Sequence, residues 1–134
     1  MVSGADPDPL AAASSEVTED SYGLIAIYTL ADNRVADFDA LAERVVEEVR
    51  ATEPDALVYA VHTVPNAPMQ RIFYEVYRDK PAYERHRRQA YIQRFEVERT
   101  PYVLATNVIE LGMQQAKLSA PPGLSQLFGR APGR

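Results

Sequence analysis

The sequence predicts a small α+β domain: a four-stranded antiparallel sheet with its helices on one face. Three observations lead there. Apolar runs of strand length recur along the chain, stretches of helical periodicity fall between them in the order β-α-β-β-α-β, and Pro, Asn, Asp or Gly mark the joins. Two β-α-β halves in one short chain close into a ferredoxin-like βαββαβ sheet.

The first strand is expected over Gly23–Leu30, GLIAIYTL, which is nearly all apolar rather than alternating. That pattern belongs to a strand covered on both faces. A first helix is expected from about Asp37 to Ala51, with Phe38, Leu41, Val45, Val46 and Val49 at helical spacing and Asp37 as N-cap. Pro54 disfavours helical geometry at Glu53 and ends it. Strands two and three, Ala56–Thr63 and Gln70–Tyr77, should form an antiparallel hairpin across Val64-Pro65-Asn66-Ala67-Pro68. Asp79 should cap a second helix with Pro81 in its first turn. Its apolar face carries Tyr83, His86 and Ala90, then shifts to Tyr91, Ile92 and Phe95, which predicts a bend near Gln89–Ala90. Pro101 ends the helical region, and the last strand is expected over Ala105–Leu111. The strands are apolar on both parities, with Leu57, Tyr59 and Val61 on one side of strand two and Val58 and Ala60 on the other. The helices cover one face only, so the other is expected to meet a second copy of the chain in a homodimer.

The 134 residues suit one domain. Residues 1–20 hold Asp6, Asp8, Glu16, Glu19 and Asp20 among Ala, Ser and Pro, with no Lys or Arg, and are expected to be a disordered extension. They have neither the basic nor the apolar region of a secretory signal. Residues 115–134 are expected to form a flexible tail, although Leu124, Leu127 and Phe128 could dock, which leaves 21–114 as the folding unit. The absence of cysteine excludes disulfides, zinc ribbons and thiol nucleophiles. No apolar run is long enough to span a membrane. A net charge of −5, with no basic cluster beyond Arg85, Arg87 and Arg88, argues against nucleic acid as a ligand. A cytoplasmic location is expected.

No metal-ligand spacing and no phosphate-binding or nucleophile-elbow motif is present. What remains is an aromatic and polar set: Tyr28, Tyr59, His62, Arg71, Tyr74, Glu75, Tyr77, Tyr83, His86, Tyr91 and Asn107. His86 shares its helix face with Tyr83 and should point at the sheet, where an imidazole among tyrosines can shuttle a proton or bind a phenol. Its position alone favours a core histidine bonded to one carbonyl. His62 reads as a strand-end residue, and Tyr59 and Tyr74 as core or interface aromatics. Glu75, mid-strand among apolar neighbours, would need Arg71 or His86 as a partner if buried.

The stretch Phe73–Tyr91, FYEVYRDKPAYERHRRQAY, resembles the antibiotic biosynthesis monooxygenase family, which includes the quinol monooxygenases. Glu75, Asp79 and His86 match that family's strand, acidic turn and helix register, and Tyr59–Pro68 and Asn107–Leu111 resemble its hairpin and closing strand. The resemblance covers roughly residues 23–112. It implies a dimeric α/β barrel and the oxidation of a phenol, quinol or anthrone by O2 with no added cofactor and no metal. It further implies catalytic roles for His86, Glu75 and Tyr74, with Tyr59, His62, Arg71, Tyr83, Tyr91 and Asn107 binding the substrate. Two departures stand out. Tyr91 occupies the place of a second histidine seen in quinol-oxidising members. The chain also has no Trp, with Tyr28 or Thr29 and Glu96 near the positions used by the haem-degrading branch, which disfavours haem degradation. The rival expectation on the same scaffold is a non-catalytic dimeric binding protein or a non-oxidative enzyme such as a cyclase.

Overall fold

The structure is a computed structural model and describes residues 17–119. The expectations for residues 1–16 and for 120–134, with Leu124, Leu127 and Phe128, lie outside the described residues.

The elements run β1 (Tyr22–Leu30), α1 (Val35–Thr52), β2 (Ala56–Thr63), β3 (Gln70–Tyr77), α2 (Lys80–Arg87), α3 (Ala90–Glu98), a 3-10 turn (Thr100–Tyr102) and β4 (Val103–Leu111). The sheet order is β2-β3-β1-β4 with every neighbour antiparallel, which is the ferredoxin-like α+β arrangement. β2 and β3 have the bounds expected from sequence, and β1 and β4 begin slightly earlier.

Two helix expectations are corrected. Asp37 does not cap α1; Arg34 occupies that position. Asp37 lies in the first turn, where its carboxylate accepts from Arg34 Nε at 2.9 Å and meets the positive end of the helix dipole. The second helix is two helices rather than one bent one. Gln89 leaves helical geometry at ψ 137°, and α3 restarts from it. Asp79 does cap α2, accepting from the Ala82 amide at 2.9 Å, with Pro81 in the first turn where a missing N–H is harmless. The tight turn from β1 into α1 places Asn33 at φ 66°, a left-handed conformation that asparagine tolerates better than most residues.

Alternation along β1 sends Leu24, Ala26, Tyr28 and Leu30 toward the helices. Across the β1–β3 register Tyr28, Ala26 and Leu24 sit beside Arg71, Phe73 and Glu75, and Tyr22 beside Tyr77; these four β3 residues are all buried. Phe73 is the centre of the packing, with its ring 5.1 Å from Tyr28, 6.1 Å from Phe38 of α1 and 5.9 Å from Phe95 of α3. The reverse face shows Ile25, Ile27, Val58, Ala60, Ile72, Tyr74 and Ile109, and no described element covers it. Tyr74 and Ile109 are exposed there.

Candidate functional site

A cavity of about 260 Å³ opens between the helix-facing side of the sheet and the α2–α3 pair. Its sheet wall is Leu24, Ala26, Tyr28, Tyr59 and Glu75, closed at the edge by Thr106 and Val108 of β4. Its helical wall is Tyr83, His86, Arg87, Ile92, Phe95, Glu96 and Arg99. The break at Gln89 makes this wall, because α2 and α3 can then present separate faces.

His86 is buried, with its ring centroid 5.3 Å from Tyr59 and 5.1 Å from Tyr77. Its Nδ1 lies 2.9 Å from Oε1 and 3.1 Å from Oε2 of Glu53. Glu53 is the C-cap of α1, where Pro54 forces the chain out of helical geometry. The end of α1 is thereby set against α2. The Glu53 carboxylate also accepts from the Tyr91 hydroxyl, which sits 3.0 Å from Thr52 Oγ1. An ionised carboxylate only accepts, so Nδ1 carries a proton, and Nε2 is the ring nitrogen left free of Glu53. Nε2 has no hydrogen-bond partner among the described residues. No buried side-chain nitrogen or oxygen among them lacks a partner, so Nε2 borders the cavity rather than sealed core.

Glu75 is buried beside this ring, and its Oε1 accepts from Tyr77 Oη at 2.6 Å. Desolvation pushes its carboxyl above the ordinary value, against the pull of the Tyr77 hydrogen bond and the His86 and Arg99 charges. The phenols are shifted the same way. Burial raises Tyr28 to about 12, and burial with the nearby Glu75 charge lifts Tyr59 and Tyr77 further still. All three are neutral donors at physiological pH. Among the described residues no group of three or more His, Cys, Asp or Glu could hold a metal ion.

A family model described as antibiotic biosynthesis monooxygenase matches residues 21–97, from β1 through most of α3. The chain belongs to the antibiotic biosynthesis monooxygenase family. Solved structures share this monooxygenase-family fold at low identity. A Bacteroides thetaiotaomicron protein, provisionally named an antibiotic biosynthesis monooxygenase, superposes with a TM-score of 0.70 at 17% identity, covering 77% of this chain and 98% of its own. PA3566 of Pseudomonas aeruginosa gives 0.67 at 21%, covering 75% and 100%. Rv0793 of Mycobacterium tuberculosis gives 0.67 at 15%, covering 72% and 97%. No curated protein matches the chain significantly.

Within this antibiotic biosynthesis monooxygenase fold, the residues singled out from sequence divide into two groups. His86, Glu75, Tyr28, Tyr59 and Tyr83 line one cavity. The others do not reach it. Tyr74 lies on the reverse face, because successive residues of a strand point to opposite sides and Glu75 takes the inner one. His62 and Asn107 are exposed on that same reverse face. Arg71 is buried but fully engaged elsewhere. It forms a two-pronged pair with Asp39 at 2.9 and 3.0 Å and donates to the carbonyls of Pro68 and Gln70, so it is not the partner of Glu75. Tyr91 acts on the site through Glu53.

The site also involves residues that sequence reading missed. Glu53 read only as the residue that ends a helix before Pro54. Tyr77 stood among the aromatics without a role. Arg99 carried no signal that separates it from a surface arginine. Arg87, which the sequence showed only as part of a basic cluster, faces Glu96 at 3.8 Å across the α2–α3 break at the cavity rim.

Proposed function

We propose that this chain is a cofactor-independent monooxygenase that oxidises a phenolic, quinol or anthrone-type aromatic with O2, working as a sheet-to-sheet homodimer. The observation that carries the reading is the His86–Glu53 pair: a buried imidazole held at Nδ1 by a carboxylate, with Nε2 turned to a cavity walled by aromatic rings. Membership of a monooxygenase family supplies the reaction class.

The chemistry needs one proton acceptor. Nε2 of His86 takes a proton from the bound substrate, and Glu53 stabilises the imidazolium that forms. The resulting anion is electron-rich enough to pass an electron to O2. Recombination of the radical pair makes a carbon–peroxide bond. For an anthrone, the ring CH2 becomes C=O, one oxygen atom of O2 enters the product, and the other leaves as water with the two hydrogens. His86 returns its proton to the departing oxygen. Tyr59 and Tyr83 hold the flat ring, and neutral Tyr28 offers a hydroxyl to developing negative charge.

Oxygen uptake with a dihydroquinone or an anthrone, in chelator-treated protein, is the test. The parent should consume O2 in proportion to the quinone formed. His86→Ala should lower turnover about 10²-fold or more while the far-ultraviolet circular dichroism stays that of the parent. Binding of the aromatic without oxygen uptake would establish the rival reading, a ligand-binding protein. Near-parent turnover in folded His86→Ala would make His86 a packing residue.

A further inference from the structure

The cavity that holds His86 carries a guanidinium that the proton transfer does not use. Arg99 follows α3 directly and forms part of the helical wall. Its guanidinium carbon lies 4.9 Å from the Tyr28 ring centre and 5.1 Å from that of Phe95. Two aromatic rings therefore position the group, and its N–H edge stays available for a planar, two-pronged acceptor. Arg71, Arg78, Arg85 and Arg87 each sit within ion-pair distance of a carboxylate. Arg99 has no such partner among the described residues, although the chain has a net charge of −5.

The other charges in the wall do not cancel it. Arg87 and Glu96 face each other at 3.8 Å and offset one another. Glu75 is buried, its Oε1 accepts from the Tyr77 hydroxyl, and it does not come within ion-pair distance of Arg99. One guanidinium is left without an ion-pair partner, in a pocket that also holds the His86 ring. Size limits what can lie between them. The cavity is about 260 Å³, and a cavity of about 150 Å³ accepts a single benzene ring. Two fused rings fit the difference better than three. A single free guanidinium, with no second unpaired cation in the wall, matches a carboxylate better than a dianionic phosphate.

We propose that the substrate of this cavity is a one- or two-ring hydroxyarene bearing a carboxylate, with the carboxylate on Arg99 and the hydroxyl turned to His86. This rests on the oxygenase reading for the role of His86, whereas the anion contact needs no turnover. Arg99 is the specificity residue, and a neutral hydroxyarene of equal size is discriminated against because it leaves the guanidinium desolvated and unpaired.

Two fluorescent probes test it by equilibrium titration of the full chain: 6-hydroxy-2-naphthoate, which carries the carboxylate at the far end from the hydroxyl, and 2-naphthol, which lacks it. The parent should bind the carboxylate probe about tenfold or more tighter. The gap should narrow as salt rises. Arg99→Gln should abolish the gap, and Arg99→Lys should retain part of it. Equal affinities in the parent, a gap that survives in Arg99→Gln, or no binding of either probe overturns the proposal. Should Arg99→Gln fail to fold by circular dichroism, the parent decides alone: a salt-insensitive gap overturns the proposal and a salt-sensitive one supports it. Failure here is distinct from failure of the oxygenase reading. Discrimination without oxygen uptake removes the oxygenase and keeps the anion site. Uptake with neutral quinols and no discrimination does the reverse.

Discussion

Glu75 sits in the sheet wall with a carboxyl that burial pushes above its ordinary value. The native state therefore holds a proton that the unfolded chain releases at lower pH. Between the unfolded value, about 4.3, and the raised native value, stability falls as pH rises. The full contribution is present only below that window. Glu75→Gln keeps an acceptor for the Tyr77 hydroxyl and removes the titration. The Tm of the variant minus that of the parent should therefore grow as pH is raised from about 4 toward neutrality. Parallel Tm curves would mean that Glu75 is not desolvated as its burial implies. The same scale separates His86 from the tyrosines nearby. Tyr28, Tyr59 and Tyr77 are all shifted away from ionisation by burial, whereas the imidazole has its proton fixed on one nitrogen by Glu53.

Elements place these groups, and α2 is the one most open to test. It is short, and it begins where Asp79 accepts from the Ala82 amide. Eight residues give it little independent helical stability, so the cap and the buried contacts of Ala82 and His86 hold it in place. Asp79→Ala should destabilise the protein by about 1 kcal/mol in urea unfolding, within a usual range of about 0.5–2 kcal/mol for lost caps. A change near zero would show that tertiary contacts alone fix α2. The neighbouring break at Gln89 has its own consequence. An uninterrupted helix would keep one apolar stripe in register, whereas the break lets α3 turn Ile92 and Phe95 into the core while Tyr91 reaches back to Glu53.

For the whole molecule, the reverse face of the sheet is the dominant feature. Ile25, Ile27, Ile72, Tyr74 and Ile109 form an apolar surface that no described element covers. Such a surface on a domain this small favours association. The proposed homodimer predicts twice the chain mass by light scattering at micromolar concentration. Tyr74 is exposed in the single chain, so Tyr74→Lys should leave the fold intact and shift the mass to one chain by placing a charge in the interface. A folded parent that scatters as one chain would remove the sheet-to-sheet arrangement.

The sequence by itself determined the elements and their order. The bounds of β2 and β3 were legible because Pro54, Pro65, Pro68 and Asp79 punctuate them locally, and the inward turn of His86 followed from helical spacing on α2. The alternation of β3 also held enough information to separate Tyr74 from Glu75, since adjacent strand residues cannot share a face. Which polar groups meet was decided only by tertiary structure. Glu53 reaches His86 across 33 residues because the end of α1 is packed against α2. Arg71 is drawn to Asp39 of α1 rather than to Glu75. Arg99 is left unpaired in the cavity because α3 carries it past the end of the sheet wall onto Tyr28 and Phe95. The physical reason is range. Periods of about 2 and 3.6 residues are backbone properties written into every short window of sequence, while the partner of a buried charge depends on sheet order and helix placement, which no short window contains.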